Sequence, residues 1–312
     1  GINYNLGIYD AVHKMRPDKP IFASECCATG TTRDWNFDTA VSGRIRDKDR
    51  DTNDWFLGRE KTYKFLRERS YVFGCYQWAA VEHRGEAAWP RVCSCSGALD
   101  LFLQKKGAFY QNKSHWSAEP MAHIVPHWNF KGLAGKEIPV TVYTNCEELE
   151  LFLNGKTLGK QQIEKYGHGE WSVEYIPGTL EVKGYIGGNE VCGDKRVTTG
   201  RPAALKLTQD NDFTANGSDI ALFTCECVDE NGLTVPDAAE YVRFSVSAPA
   251  KIIGTGSDNC DHNNVANTER KMYMGKIRVA VKPKKGQESF TLTAMSDNCG
   301  VCEKTVSLCA EN

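Results

Sequence analysis

No apolar run in the 312-residue chain approaches the ~20 residues that a helix needs to cross a bilayer. The sequence therefore gives no reason to expect a membrane partner. The opening decapeptide, GINYNLGIYD, has no basic n-region and no long apolar h-region, so it is not read as a secretory leader. It also lacks Met and begins directly in apolar sequence, and the chain is expected to be a piece of a longer protein. An excess of one charge is missing too. With 38 Lys and Arg against 40 Asp and Glu, the net charge of -2 leaves no electrostatic footprint for nucleic acid.

Cysteine is plentiful, at thirteen, but the regular spacing of a small disulfide scaffold is absent. Cys93 and Cys95, like Cys225 and Cys227, are separated by one residue, and on a strand both members of such a pair face the same way. Cys299 and Cys302 form a C-x-x-C half-site in a β-rich tail, without the second half that a zinc site needs. Of all the cysteines they are the pair with a plausible local bridge. Free structural thiols and a reducing, cytoplasmic setting are expected.

Length suggests two or three domains. The first 120 residues mix helix and strand. IYDAVHKM reads as a helix and PIFAS as a short, continuously apolar strand. A further helix opens with Thr52 or Asn53 as N-cap, runs through Trp55, Tyr63 and Leu66, and ends near Arg67 and Arg69. YVFGCYQWAAV follows, apolar on both faces. Such strands alternating with helices predict a parallel α/β sheet or barrel. Three of them cannot close a barrel, so either the missing strands lie outside this chain or the piece packs against something else.

From about Met121 the pattern becomes all-β. Leu149, Leu151 and Leu153 alternate onto one face, and Asn154-Gly155 marks a hairpin turn. Pro177-Gly178 and Gly187-Gly188 repeat the logic. A second block starts at RPAALKL and continues through DIALFTCECVDENG, EYVRFSVS, GKIRVAVKP and SFTLTAMS. The expected layout is therefore α/β over 1–120, then two β-sandwiches over 121–200 and 201–312.

KPIFASECCATG, residues 19–30, places one carboxylate, Glu25, at the end of an apolar strand. Read from the residues alone, Glu25 either faces water or does chemistry in a pocket. KPIFASE, YVFGCYQWAAVEHRGE, WPRVCSCSGALDL, QNKSHW, IVPHWNF and ELELFLNGKTLGK then follow in an order that resembles family 2 glycoside hydrolases. The likeness is to a β-galactosidase-like branch with extra Ig-like domains after its barrel. It implies the last strands of a (β/α)8 TIM barrel followed by two Ig-like β-sandwich domains. INY, PIFAS and VFGCYQW would be barrel strands six, seven and eight.

Catalytic groups of such barrels stand at the C-terminal ends of strands. The resemblance makes Glu25 the nucleophile of a retaining hydrolysis of terminal β-galactosides. Such chemistry needs two carboxyl groups about 5–5.5 Å apart, and the acid/base of the family lies on strand four, before residue 1. The isolated chain is accordingly expected to be inactive, pending its missing N-terminal part. Tyr4 matches a tyrosine that hydrogen-bonds the nucleophile, and Trp78 an aromatic of the sugar subsite. Glu82 and His83 stand in the following loop, where the family more often has Asp and Tyr. Glu86 could contact substrate and Arg33 could pair with a carboxylate near Glu25. Each could equally be a packing or surface residue.

Where the family commonly has Gly-Phe-Pro-Lys, this chain has Leu103 to Lys106, keeping only the lysine. The Asn-x-Lys element of related glucuronidases is not found, since Asn112 and Lys113 are adjacent, which favours a neutral sugar. His123 and His127 have a metal-like spacing, but Pro126 opposes a helix between them, and they are read as packing residues. No organic cofactor and no metal site are implied. The rival reading is a non-catalytic β-sandwich module, for carbohydrate binding or domain packing, attached to a barrel remnant.

Overall fold

The computed structural model describes residues 1–33 and 57–308, in two compact units, Gly1–Thr198 and Thr199–Asn312. The N-cap read at Thr52 or Asn53, and Trp55, lie outside the described residues.

The first unit opens with β1 (Ile2–Asn3), α1 (Tyr9–Met15), β2 (Ile21–Cys26), α2 (Arg59–Arg67), β3 (Val72–Gln77) and α3 (Gly107–Trp116). The strands form a parallel sheet in the order β1-β2-β3. In β2, Ile21 and Ala23 alternate into the core beneath the helices, together with Tyr9, Tyr63 and Leu66. Helix α2 forms because Arg59, Thr62, Tyr63 and Leu66 fall at i, i+3, i+4 and i+7, one buried stripe. Arg59 is tolerated inside because its guanidinium donates to Thr29 Oγ1 at 2.8 Å and to the Ser96 carbonyl at 3.2 Å. Arg69, just past α2, grips Asp10 of α1 through two hydrogen bonds of 2.9 Å.

Strand β3 departs from the reading of an element buried on both faces. Phe73 and Tyr76 are 65% and 67% exposed, since among the described residues the sheet has three strands and no second covering layer there. Between β3 and α3 the chain forms a folded loop, tied by isolated bridges between Val81 and Leu99, Arg84 and Cys93, and Leu99 and Lys105. Gly97 permits the closest approach within it. A Cβ there would stand 2.4 Å from the Glu82 amide nitrogen and 2.5 Å from the Leu99 carbonyl oxygen.

The rest of the unit is sandwich-like. Its strands are β4 (Ala122–Val125), β5 (Glu137–Thr144), β6 (Glu148–Leu153), β7 (Lys156–Gln162), β8 (His168–Glu174), β9 (Thr179–Ile186) and β10 (Asn189–Val197). Sheets β4-β5-β8 and β10-β9-β6-β7 enclose Trp128, Ile138, Val140, Leu149, Leu151, Leu180 and Val182. The hairpin at Asn154-Gly155 has both residues at positive φ, 51° and 78°, as a tight two-residue turn requires. The Asn154 side chain then accepts the Thr179 amide at 2.7 Å and ties this turn to β9. His123 stacks on Tyr110 of α3 and His127 on Phe130.

Helix α2 meets β8 through a clamped histidine. His168 Nδ1 lies 2.6 Å from Glu60 Oε2 and Nε2 lies 2.9 Å from Glu170 Oε1, while Lys64 bonds Glu60 at 2.8 Å. Burial works against the charge on His168, but the hydrogen bonds to Glu60 and Glu170 outweigh it and raise the pKa above the ordinary value. Burial would raise Glu60; its bonds to His168 and Lys64 prevail and lower it to about 2. The His168 contribution is complete below its unfolded pKa and is lost as pH rises through the folded one. The Glu60 contribution is present above the unfolded value and is lost as pH falls through about 2. The contact is therefore strongest in mildly acidic solution. Its loss between pH 6 and pH 9 should cost on the order of 1 kcal/mol, as for a partly exposed pair. Thermal melts of His168→Gln should lack that pH dependence; an unchanged profile would refute the assignment.

The second unit contains β11 (Ala204–Gln209), β12 (Ala221–Val228), β13 (Tyr241–Val246), β14 (Lys251–Gly256), β15 (Glu269–Lys271), β16 (Lys276–Lys282), β17 (Ser289–Ser296) and β18 (Gly300–Ser307). Sheets β11-β12-β16-β14 and β15-β13-β17-β18 bury Phe223, Val242, Phe244, Ile277, Val279, Phe290 and Leu292 between them. Cys225 and Cys227 both point into this core. Cys299 and Cys302, the pair with a plausible local bridge, are both free thiols. Cys299 Sγ lies 3.7 Å from Cys227 Sγ, and all twelve described cysteines are free thiols.

Candidate active site

Parallel pairing brings Asn3 of β1 opposite Glu25 of β2, near the C-terminal end of the sheet. The next residue, Tyr4, donates its backbone N–H to the Glu25 carbonyl at 2.8 Å. The chain then turns sharply, with Tyr4 and Asn5 at φ 50° and 37°. That turn sets the Tyr4 phenol beside the Glu25 carboxylate. Burial, its contact with the Glu25 side chain and the charges of Glu25 and Glu86 all raise the Tyr4 pKa. The phenol thus stays neutral beside the carboxylate. Ser24 Oγ donates to Asn3 Oδ1 at 2.5 Å and fastens the same strand ends together.

Trp78, the first residue after β3, donates its N–H to the Cys26 carbonyl at 2.8 Å, which joins it to the end of β2. Its ring is half-buried and meets His83 edge-on, with centroids 5.4 Å apart. The imidazole is steered from both sides. Ser94 Oγ lies 3.2 Å from Nδ1, and Glu86 Oε2 lies 3.6 Å from Nε2. Behind Glu25 the thiols of Cys26 and Cys27 are 3.4 Å apart and buried. Tyr4 and Glu25 thus share one hydrogen-bonded group, and Trp78, His83 and Glu86 a second one, joined to it through the Trp78–Cys26 backbone bond. A carboxylate beside a phenol can serve as a nucleophile or a base.

Glu82 departs from the reading of a sugar-facing loop residue. Its side chain has 0% exposure and pairs with that of Lys106, at 1%. Lys106 Nζ also donates to the Cys95 carbonyl at 2.8 Å, and the Cys93 thiol lies 3.8 Å from the other Glu82 oxygen. Burial, then the Glu82 charge, pushes the Cys93 thiol up to about 12. The loop folds back so that Glu82 and the residue preceding α3 neutralise one another inside. Arg33 pairs with a buried carboxylate, that of Asp100. Its Nε lies 2.8 Å from Asp100 Oδ2, both side chains being buried. Asn112 is internal too, accepting from the Tyr63 hydroxyl at 3.0 Å and donating to Gln77. The sequence reading missed Lys106 as a partner. Its one signal was a lysine retained in a segment where the surrounding turn residues differ.

Residues 135–192 match the family model described as Domain of unknown function (DUF4982), and residues 205–305 match Glycoside hydrolase family 2 C-terminal domain 5. A β-galactosidase of Bacteroides ovatus is 31% identical over 264 residues, covering 82% of this chain and 31% of that protein. A β-glucuronidase of Formosa agariphila is 31% identical over 317 residues, covering 94% of this chain and 31% of its own. The crystal structure of a glycosyl hydrolase family 2 member from Bacteroides cellulosilyticus aligns with a TM-score of 0.82 at 29% identity, over 98% of this chain and 40% of that one. A β-glycosidase from Bacteroides vulgatus shares the fold, with a TM-score of 0.84 at 23% identity over 96% of this chain and 43% of that one.

These likenesses identify the family of the chain. It belongs to glycoside hydrolase family 2 and corresponds to the C-terminal portion of such proteins. It spans about a third of the length of the curated relatives described above, at 31% of each.

Proposed function

We propose that this chain supplies the nucleophile half of a retaining glycosidase that cleaves terminal β-galactosides. The observation that carries the reading is the strand-end geometry: Asn3 pairs with Glu25, the Tyr4 N–H bonds the Glu25 carbonyl at 2.8 Å, and the Tyr4 phenol and Glu25 carboxylate thereby stand together at the C-terminal end of a parallel strand. In this proposal β1, β2 and β3 are the last strands of a (β/α)8 barrel, where catalytic groups occupy that end. Among the described residues β1 and β3 are edge strands of this sheet, which agrees with it.

The reaction would run in two displacements. The Glu25 carboxylate attacks the anomeric carbon, forming a glycosyl ester, while an acid protonates the departing oxygen. Water, activated by the same acid now acting as base, then cleaves the ester and frees Glu25. Tyr4 orients the carboxylate, and its proton stabilises the charge when Glu25 leaves again. Trp78 covers one apolar sugar face, and His83, held by Ser94 and Glu86, offers a polar contact at the rim. The acid/base would come from residues outside this chain.

A galactoside rather than a glucuronide is supported by Asn112. Its amide is spent on Tyr63 and Gln77 and is not offered to a sugar carboxylate. Relatives include both a β-galactosidase and a β-glucuronidase, so a panel of nitrophenyl β-glycosides on the full-length gene product is the deciding assay. The highest kcat/KM is expected for the galactoside; a preference for the glucuronide would overturn the sugar assignment. The purified 312-residue chain alone should not hydrolyse nitrophenyl β-galactoside above a Glu25→Gln control, because one carboxylate cannot perform both roles. Clear turnover by the chain would refute the assignment of the acid to an outside segment.

A further inference from the structure

Cys146 lies in the turn between β5 and β6, and Cys192 lies on β10, an edge strand. They are 46 residues apart in sequence, yet their sulfurs stand 3.3 Å apart. Strand β9 runs between β6 and β10, and its Gly184 is the register partner of both Leu149 and Cys192. A Cβ on Gly184 would sit 2.7 Å from Cys146 Sγ and 2.8 Å from Cys192 Sγ. The missing side chain is therefore what lets the two thiols meet over the backbone of the intervening strand.

Two other pairs of close thiols among the described residues differ from this pair. Cys26 and Cys27 are consecutive, and both sulfurs are buried. Cys227 and Cys299 are farther apart, at 3.7 Å, and both are enclosed in a core. Cys192 is half-buried and sits on a sheet edge, where a small reagent can reach it. Its partner, Cys146, is buried behind it.

We propose that Cys146 and Cys192 are a redox-active dithiol site that closes to a disulfide by exchange with a low-molecular-weight disulfide. One protein thiolate attacks a sulfur of the small disulfide, releasing one small thiol and leaving a mixed disulfide. The second protein thiolate then attacks the protein sulfur of that intermediate. The Cys146–Cys192 bond forms and the second small thiol departs. Two protons pass from the protein thiols to the two small thiols, and two electrons go the same way. Hydrogen bonding from Cys192 lowers the Cys146 thiol and the same contact raises Cys192, so Cys146 carries the thiolate character of the pair. The sulfurs need to close to the ~2.05 Å of a disulfide, a movement that the turn and the edge strand can share. The bridge would fasten β10 to the start of β6 and remove chain entropy from the unfolded state.

The test uses the 312-residue chain in oxidised glutathione, with cysteines counted by alkylation under denaturing conditions. Eleven reactive thiols of the original thirteen are expected, with one cross-linked peptide joining Cys146 to Cys192. The melting temperature should rise by roughly 5 °C or more, and dithiothreitol should reverse it. Cys192→Ser and Cys146→Ser should each abolish the cross-linked peptide and the rise, while Cys302→Ser should behave as the parent. If Cys146→Ser fails to fold, Cys192→Ser on the accessible edge strand carries the comparison. Thirteen thiols surviving oxidation, a bridge mapping to Cys227 and Cys299, or a stable mixed disulfide on Cys192 would each overturn the proposal.

Discussion

In the complete protein, replacing Glu25 by Gln should lower kcat by on the order of 10⁴-fold or more while leaving substrate binding nearly intact. The amide preserves shape and can still accept a hydrogen bond from Tyr4. It cannot attack an anomeric carbon. Glu86, whose charge is felt at Tyr4, is half-occupied by the His83 contact and lies in the loop rather than on the strand. A 2-fluoro-galactoside inactivator should label Glu25, read by peptide mass. Wild-type turnover by the variant, or a label on another residue, would remove Glu25 from the nucleophile role. Tyr4→Phe provides a graded companion. It keeps the ring and loses the donor, so a smaller loss than that of Glu25→Gln is expected.

The second large effect concerns the ion pair hidden inside the loop. Lys106→Met should destabilise the chain by about 3–5 kcal/mol, because it leaves the Glu82 carboxylate buried without its partner. Glu82→Leu alone should cost a similar amount through the stranded ammonium. The double variant should recover most of the loss, since a buried pair replaced by apolar side chains of similar volume is often neutral or better. Urea denaturation of the four proteins gives the coupling energy directly. If the two single losses simply add, the carboxylate and the ammonium are not each other's principal support. The loop that carries His83 and Glu86 hangs on this pair, so the single variants should also loosen the Trp78–His83 contact.

What could be read from the sequence divides along the range of the interactions. The Asn154-Gly155 hairpin and the alternation of Leu149, Leu151 and Leu153 were legible because turn chemistry and strand period are local. Strand β2 and the stripe of α2 were legible for the same reason. The placement of Glu25 at a strand end could be foreseen, but only the resemblance gave it a partner in Tyr4. Glu82 was misread because the resemblance set it, with His83, in the loop after strand eight, among positions that would face the sugar. Nothing local announces a lysine 24 positions later as its counter-charge. Arg33 and Asp100 were hidden in the same way, and so were Cys227 and Cys299, 72 residues apart. Phe73 and Tyr76 carried the pattern of a core strand. What covers such a face is a property of tertiary neighbours, not of the strand.

The parallel sheet also sets the order in which this molecule can assemble. Strand β2 meets β3 by pairing Ile21 with Val72, across about fifty intervening residues, whereas β6 meets β7 at Leu153 and Lys156. A two-residue turn closes on the microsecond scale, while distant pairing must first bear the entropy of a long closed loop. The hairpins of the sandwiches are therefore seated early, and the strand ending in Glu25 is among the last parts to lock. In pulsed hydrogen exchange during refolding, amides of β6 should be protected before those of β2; the reverse order would refute this sequence of events. Catalytic competence is then a late event in the life of the chain, reached only after its scaffold is already standing.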